Sequence, residues 1–131
     1  MKEISVKTSS RVELIDITYL VEKVASESKI KSGLCTIYVP HTTAAVTINE
    51  NADPNVRKDI IKELNKVIPF DDNYSHLEGN AAAHIKASII SPSETILMNG
   101  GNLVLGTWQG IYFCEFDGPR NRKVIIKIIE G

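Results

Sequence analysis

The stretch GTWQGIYFCEFDGPRNRKVIIKII, residues 106–129, decides the fold class. It holds two apolar runs, GIYFCEF and KVIIKII, rich in β-branched and aromatic residues and separated by a Gly-Pro corner. Such runs predict strands. On the first strand Glu115 and Asp117 lie two apart and share one face, while Cys114 and Phe116 share the other. The apolar residues would serve the core and the two acids would line a cleft. Gly118-Pro119 then turns the chain and returns Arg120 and Arg122 toward that cleft. A plain surface turn needs Gly and Pro, but not an acid and two guanidinium groups. The guanidinium fork matches phosphate oxygens, so the segment predicts a phosphate-reading corner built onto a core strand. The competing reading is a surface ion-pair set. Trp108 and Gln109 would add an aromatic wall and a polar contact, with Trp108 equally suited to the core or to an interface.

Working outward from this segment, SETILMN and NLVLG read as strands joined by a hairpin turn at Asn99-Gly100-Gly101-Asn102. At the other end, KEISVKT (2–8) alternates polar and apolar, and SRVELI (10–15) reads as its hairpin partner. In residues 16–33, Leu20, Val21, Val24 and Ala25 fall on one helical face. Asp16 or Thr18 could cap its start, and Gly33 lies just past its end. LCTIYV (34–39) is a buried strand ended by Pro40, and AAVTINE (44–50) resumes the strand pattern. In NADPNVRKDIIKELNKVIP (51–69), Asp53 caps a helix, Pro54 takes its first position, and Val56, Ile60, Leu64 and Val67 form one stripe. A polar loop (70–80) precedes a short helix from about Ala81 to Ile90. Asn80 would cap it, Ile85 and Ile89 would face the core, and His84 and Ser88 would share a neighbouring face.

The expected order is β-β-α-β-β-α-α-β-β-β-β. That order predicts an α+β fold with a largely antiparallel, β-sandwich-like core, two to three helices, and a single domain over residues 1–131. No Rossmann glycine fingerprint or P-loop is present. With 15 basic and 16 acidic side chains the net charge is -1, which gives no long-range pull toward nucleic acid. MKEISVKTSS is not a signal peptide, and no apolar run reaches the length of a membrane span, so a cytoplasmic protein with no membrane partner is expected. Cys35 and Cys114 sit inside strand-like runs and read as buried, reduced thiols.

Four groups of residues could carry chemistry. The three histidines, His41, His76 and His84, are flanked by polar residues. If they converge, they offer three nitrogen ligands and an open position to a divalent metal, zinc suiting nitrogen and Mg²⁺ suiting nearby oxygens. Otherwise they form an anion site or an acid–base set, in which either His41 or His84 could move a proton. NENADP (49–54) clusters Glu50, Asn51 and Asp53 at a strand–helix junction, although Asp53 before Pro is accounted for by capping alone. HLEGNAAAH (76–84) places Gly79 and Asn80 at a helix start whose amides could hold a phosphate oxygen. Its three alanines would admit another surface or pack the helix tightly. The corner itself supplies Glu115, Asp117, Arg120 and Arg122. Thr42, next to His41, joins Asn51, Asp53, Asn80, Arg120 and Arg122 as a candidate phosphate contact.

HTTAAVTINENADP (41–54), the pattern H-x-x-G-N-x-x-x-H from His76 to His84, and GTWQGIYFCEFDGPRNR (106–122) together resemble the signature blocks of the YjbQ family. Members of that family carry the name secondary thiamine phosphate synthase. The resemblance runs nearly end to end. It implies a compact α+β fold, a homotrimer around a threefold axis, and a site gathering His41, His76, His84, Asp53, Glu115, Asp117, Arg120 and Arg122, completed across a subunit boundary. The implied reaction joins hydroxymethylpyrimidine diphosphate to a thiazole phosphate and releases pyrophosphate. Charge builds on the leaving oxygens, so cations must stabilise it. Two other functions use the same residues. One is a trimeric metal- or anion-binding protein without turnover, and the other is a metal-dependent phosphoester hydrolase. A nucleic-acid module is the weakest reading, since the sequence has no basic stripe with interleaved aromatics.

Overall fold

A computed structural model describes all residues 1–131. The elements run β1 (Lys2–Lys7), β2 (Glu13–Asp16), α1 (Thr18–Ser28), β3 (Gly33–Tyr38), β4 (Ala44–Glu50), α2 (Pro54–Val67), α3 (Ala81–Ile90), β5 (Ser93–Asn99), β6 (Asn102–Leu103), β7 (Gln109–Glu115) and β8 (Asn121–Glu130). This is the order the sequence predicts. The strands form a five-stranded sheet, β1-β8-β3-β5-β6, and a three-stranded sheet, β2-β7-β4, with every pairing antiparallel. The chain is an α+β fold. No helix is long and apolar enough to cross a membrane.

The continuous apolar run of β7 has a direct structural cause. β7 is the central strand of the small sheet and is buried on both faces. Ile111 and Phe113 point into the core between the sheets, where they meet Ala44 and Val46 of β4, Cys35 and Ile37 of β3, and Val124 and Ile126 of β8. Tyr112 and Cys114, with Phe116 just past the strand, point the opposite way, onto Ala83 and Ala87 of α3 and onto Ile60, Ile61 and Leu64 of α2. The small sheet is therefore the middle layer, covered by the large sheet on one face and by α2 and α3 on the other.

Several local expectations hold. Asp53 Oδ1 accepts the Asn55 N–H at 2.9 Å and caps α2, with Pro54 behind it. Asn99 pairs with Asn102 across Gly100 and Gly101, both at positive φ. Both cysteines are free and buried, and burial pushes the Cys35 thiol up to about 11 and the Cys114 thiol up to about 12.

Others are corrected. β1 and β2 are not a hairpin. β1 pairs along its whole length with β8, from Lys2 opposite Ile126 to Lys7 opposite Asn121, while β2 crosses to the other sheet and pairs with β7. Alternation fixes which face a strand buries but not which partner it takes. The core face of α3 is Ala82, Ala83, Lys86 and Ala87, and Ile85 and Ile89 point outward. Small residues bring this helix close to the sheet, so the bulky ones are displaced to the outer face. Val67, at the end of the expected α2 stripe, is exposed. Gly33 does not close α1, which ends at Lys29 in the left-handed region. Gly33 instead opens β3, where a Cβ would collide with the Ile129 carbonyl.

Candidate functional site

Glu115 ends β7 on its inter-sheet face and is fully buried, so it lines no cleft. Arg122 of β8 comes from the opposite sheet and is itself 5% exposed. Its Nε donates to Glu115 Oε1 at 2.9 Å, and its Nη2 donates to Glu115 Oε2 and, at 2.8 Å, to Thr43 Oγ1. Thr8 Oγ1 donates to the same carboxylate at 2.7 Å, and the Asp117 N–H does so at 3.0 Å. Burial pushes the Glu115 carboxyl up, but Arg122, the Asp117 amide and Thr8 outweigh it and hold it below its ordinary value. Acid and arginine thus staple the two sheets at one end of the core. Sequence reasoning missed Thr8 and Thr43, which complete this network. Nothing in their local patterns marks them, because their partners lie 107 and 79 residues away.

Asp117 and Arg120 lie just outside the staple. Gly118-Pro119 is a cis peptide, and the Gly118 N–H bonds to the Arg11 carbonyl. Arg120 is half-exposed and is aimed by Asp117, whose Oδ2 takes its Nη2 at 3.0 Å and whose main-chain oxygen takes its Nε at 2.9 Å. The same Asp117 Oδ2 accepts Asn80 Nδ2 at 2.9 Å. Asn80 is thereby turned away from α3, and no side chain caps that helix. The Ala83 N–H bonds to the Asn80 carbonyl at 3.0 Å, and the Ala81 and Ala82 amides are left to another acceptor. Asn80 Oδ1 is buried with no partner, an acceptor without a donor.

One turn along α3, His84 lines an open cavity of about 280 Å³ with His41, Thr42, Ala44, Ala87, Ser88 and Pro92. His76 stacks edge-on against His84, ring centroids 5.4 Å apart. His41 is the wall between this cavity and a second one of about 310 Å³, lined by Glu3, Ser5, Asn121, Arg122 and Lys123. Burial, and then the Arg122 charge, lower the His41 pKa from its ordinary value.

These residues do not fit a three-histidine metal. No group of three or more His, Cys, Asp or Glu side chains is close enough to hold an ion. His41 Nε2 is already occupied, accepting the Lys123 N–H at 3.0 Å. His84 lines one cavity with His41 and meets His76 by ring contact, but the three do not converge as one ligand set within the chain.

Asn51 and Asp53 lie elsewhere. β4 runs from Ala44, opposite Glu115, to Glu50, opposite Gln109, so its two ends are about 20 Å apart. At the far end Glu50 Oε2 accepts the Ala52 and Asp53 amides, Asn49 Oδ1 accepts the Glu50 amide, and the Asn51 N–H bonds to the Trp108 carbonyl. NENADP is a turn that bonds to its own backbone. Trp108 is 63% exposed and sits there with Gln109, so neither walls the arginine corner. Within one chain, Asp53 does not join the histidines.

Lys86 was also missed. It is fully buried under α2, its Nζ bonded to Asn65 Oδ1 and lying 4.0 Å over the Phe70 ring. Burial, followed by the Arg11 charge, lowers its pKa from 10.5 to about 8.

A family model described as UPF0047 protein YjbQ-like matches residues 2–131. The UPF0047 protein MJ1081 of Methanocaldococcus jannaschii is 56% identical over 124 residues, spanning 95% of this chain and 90% of that protein. The UPF0047 protein YugU of Bacillus subtilis is 51% identical over 130 residues, 98% of each. A crystal structure of a YjbQ/UPF0047 family protein from Clostridium acetobutylicum superposes with a TM-score of 0.97 at 55% identity, covering 98% of this chain and 100% of that one. A YbjQ-like protein of unknown function from Sulfolobus solfataricus superposes with a TM-score of 0.96 at 34% identity, covering 99% and 96%.

Proposed function

The chain belongs to the UPF0047/YjbQ family, and from that premise and the geometry of its charged end we propose an enzyme acting on small phosphorylated metabolites. The named reaction is thiamine phosphate formation. The thiazole nitrogen attacks the methylene carbon of hydroxymethylpyrimidine diphosphate, the carbon–oxygen bond breaks, and pyrophosphate leaves. One observation carries this reading: α3 begins without a side-chain cap beside Arg120, one turn before His84 and its cavity. Helix amides and a guanidinium held by Asp117 are suited to the charge that grows on a departing diphosphate. Asn80 Oδ1 would accept a pyrimidine amine. His41, Thr42 and His84 would contact ligand oxygens, with His84 placed to move a proton. Glu115 and Arg122 act from beneath, holding Thr43 and the corner in place.

The active assembly in this proposal is a homotrimer in the cytoplasm. Ile85 and Ile89 on α3, Leu34, Leu97 and Ile129 on the large sheet, and Val104 just past β6 are apolar and outward, as subunit contacts require. Asn51 and Asp53 would then reach ligand from a neighbouring copy. The test is direct. Wild-type protein is given the two phosphorylated precursors, and thiamine phosphate and pyrophosphate are measured together. Equal amounts of both, lost in His84→Ala, are expected. Absence of both across a range of protein concentrations would refute the reading.

A second reading, an anion-binding protein without turnover, is favoured by one observation. Both arginines of the corner are already paired with acids of the chain. Pyrophosphate binding without any turnover would establish it.

A further inference from the structure

His41 occupies a place that a strand would otherwise fill. β3 stops pairing with β8 at Tyr38, opposite Ile125, while β8 runs on to Asn121 with β1 alone. The Lys123 N–H lies on that unaccompanied stretch and bonds to His41 Nε2 at 3.0 Å. A main-chain N–H can only donate. Nε2 is therefore the unprotonated nitrogen, and in neutral imidazole the proton sits on Nδ1. Turning the ring over would set Cε1 against the N–H and lose the bond, so the ring has one orientation. The one hydrogen bond His41 makes uses Nε2, and Nδ1 is not among the fully buried atoms without a partner, so Nδ1 is left free to donate. The ring itself borders two cavities, one with His84, Thr42 and Ser88, the other with Arg122, Asn121 and Lys123.

We propose that His41 is a neutral Nδ1–H donor to a ligand phosphate oxygen, and is no metal ligand, because its one lone pair is committed to the Lys123 main chain. A metal at Nε2 would displace that N–H. A metal at Nδ1 would move the proton to Nε2, where two N–H groups would face each other. Both arrangements break the bond that finishes the β8 edge. The phosphate half of this assignment rests on the proposed function, and the tautomer and metal half does not.

The experiment is long-range ¹H–¹⁵N NMR on wild-type protein at mildly alkaline pH. The chain has three histidines, and the His41 signals are identified by their loss in His41→Gln. The expected spectrum shows His41 with Nε2 unprotonated and Nδ1 protonated. Equimolar zinc leaves both signals in place, and saturating inorganic pyrophosphate shifts Nδ1 alone. An Nε2–H tautomer, or a zinc-dependent shift at either nitrogen, would overturn the donor assignment. An Nδ1 signal unmoved by pyrophosphate would overturn the ligand. None of these readings requires turnover, so failure of the proposed reaction leaves the tautomer assignment standing.

Discussion

The two ends of the β4–β7 pair use similar residues to opposite effect. At one end Glu115, Arg122, Thr8 and Thr43 are buried and bond across the two sheets. At the other end Asn49 and Glu50 close β4, Asn51 and Asp53 lie in the turn to α2, and the four bond to nearby backbone or, through the Asn51 amide, to Trp108. An acid at the first end holds two layers of the fold together. An acid at the second satisfies a turn or a helix start. Burial and the origin of the partner separate these roles, and residue type does not.

The comparison breaks if the two acids cost the same to remove. Glu115→Gln leaves Arg122 buried without its counter-charge and is expected to destabilise the chain by about 3 kcal/mol or more. Glu115→Leu combined with Arg122→Met should recover most of that loss, which equilibrium denaturation would show. The same pair sets a pH dependence. The folded pKa of Glu115 is depressed, so its contribution is full above the ordinary carboxylate range and is lost as pH falls through the lower, folded value. Acid titration of the unfolding free energy should show this fall in wild type and a flatter curve in Glu115→Gln.

Glycines offer a smaller contrast. A Cβ on Gly118 would meet the Ser10 carbonyl oxygen and two side chains of the staple, Glu115 Cγ at 2.8 Å and Thr8 Oγ1 at 2.9 Å. On Gly110 the nearest atoms it would meet belong to the Asn51 side chain, at 2.6 Å, and Asn51 is exposed. Gly118→Ala is expected to cost about 2 kcal/mol and Gly110→Ala less, as thermal midpoints would report. Asp53→Ala removes one cap and should cost about 1 kcal/mol.

Lys86 sharpens the point about burial, since it is a buried cation with an amide and a ring for partners and no acid. Its folded pKa, about 8, lies below the unfolded 10.5. The penalty for charging it is therefore full below about 8 and fades as pH rises toward 10.5. Lys86→Met should raise stability at neutral pH by about 1 kcal/mol, after loss of the Asn65 and Phe70 contacts, and the gain should vanish in alkali.

Much of the fold was legible because it rests on local signals. The strand and helix order follows from runs such as GIYFCEF and from Asp53-Pro54. The partner of β1 was not legible, since KEISVKT would alternate identically beside β2 or β8. Ile85 and Ile89 misled because helical spacing shows which residues share a face, and alanine packing decides which face goes inward. At the site, the motifs named most of the residues that meet, including His41, His84, Asn80, Asp117 and Arg120. They could not show that Glu115 is buried, that Asn51 and Asp53 lie past the end of β4 remote from His41, or that a backbone amide 82 residues away occupies the His41 lone pair.

The central claim is that the charged end binds phosphate oxygens, and calorimetric titration with inorganic pyrophosphate tests it most directly. Wild-type protein is expected to bind, and His84→Gln to bind about tenfold more weakly, the loss of one hydrogen bond to a charged group. Equal affinity in the two proteins, or no binding in either, would contradict the account.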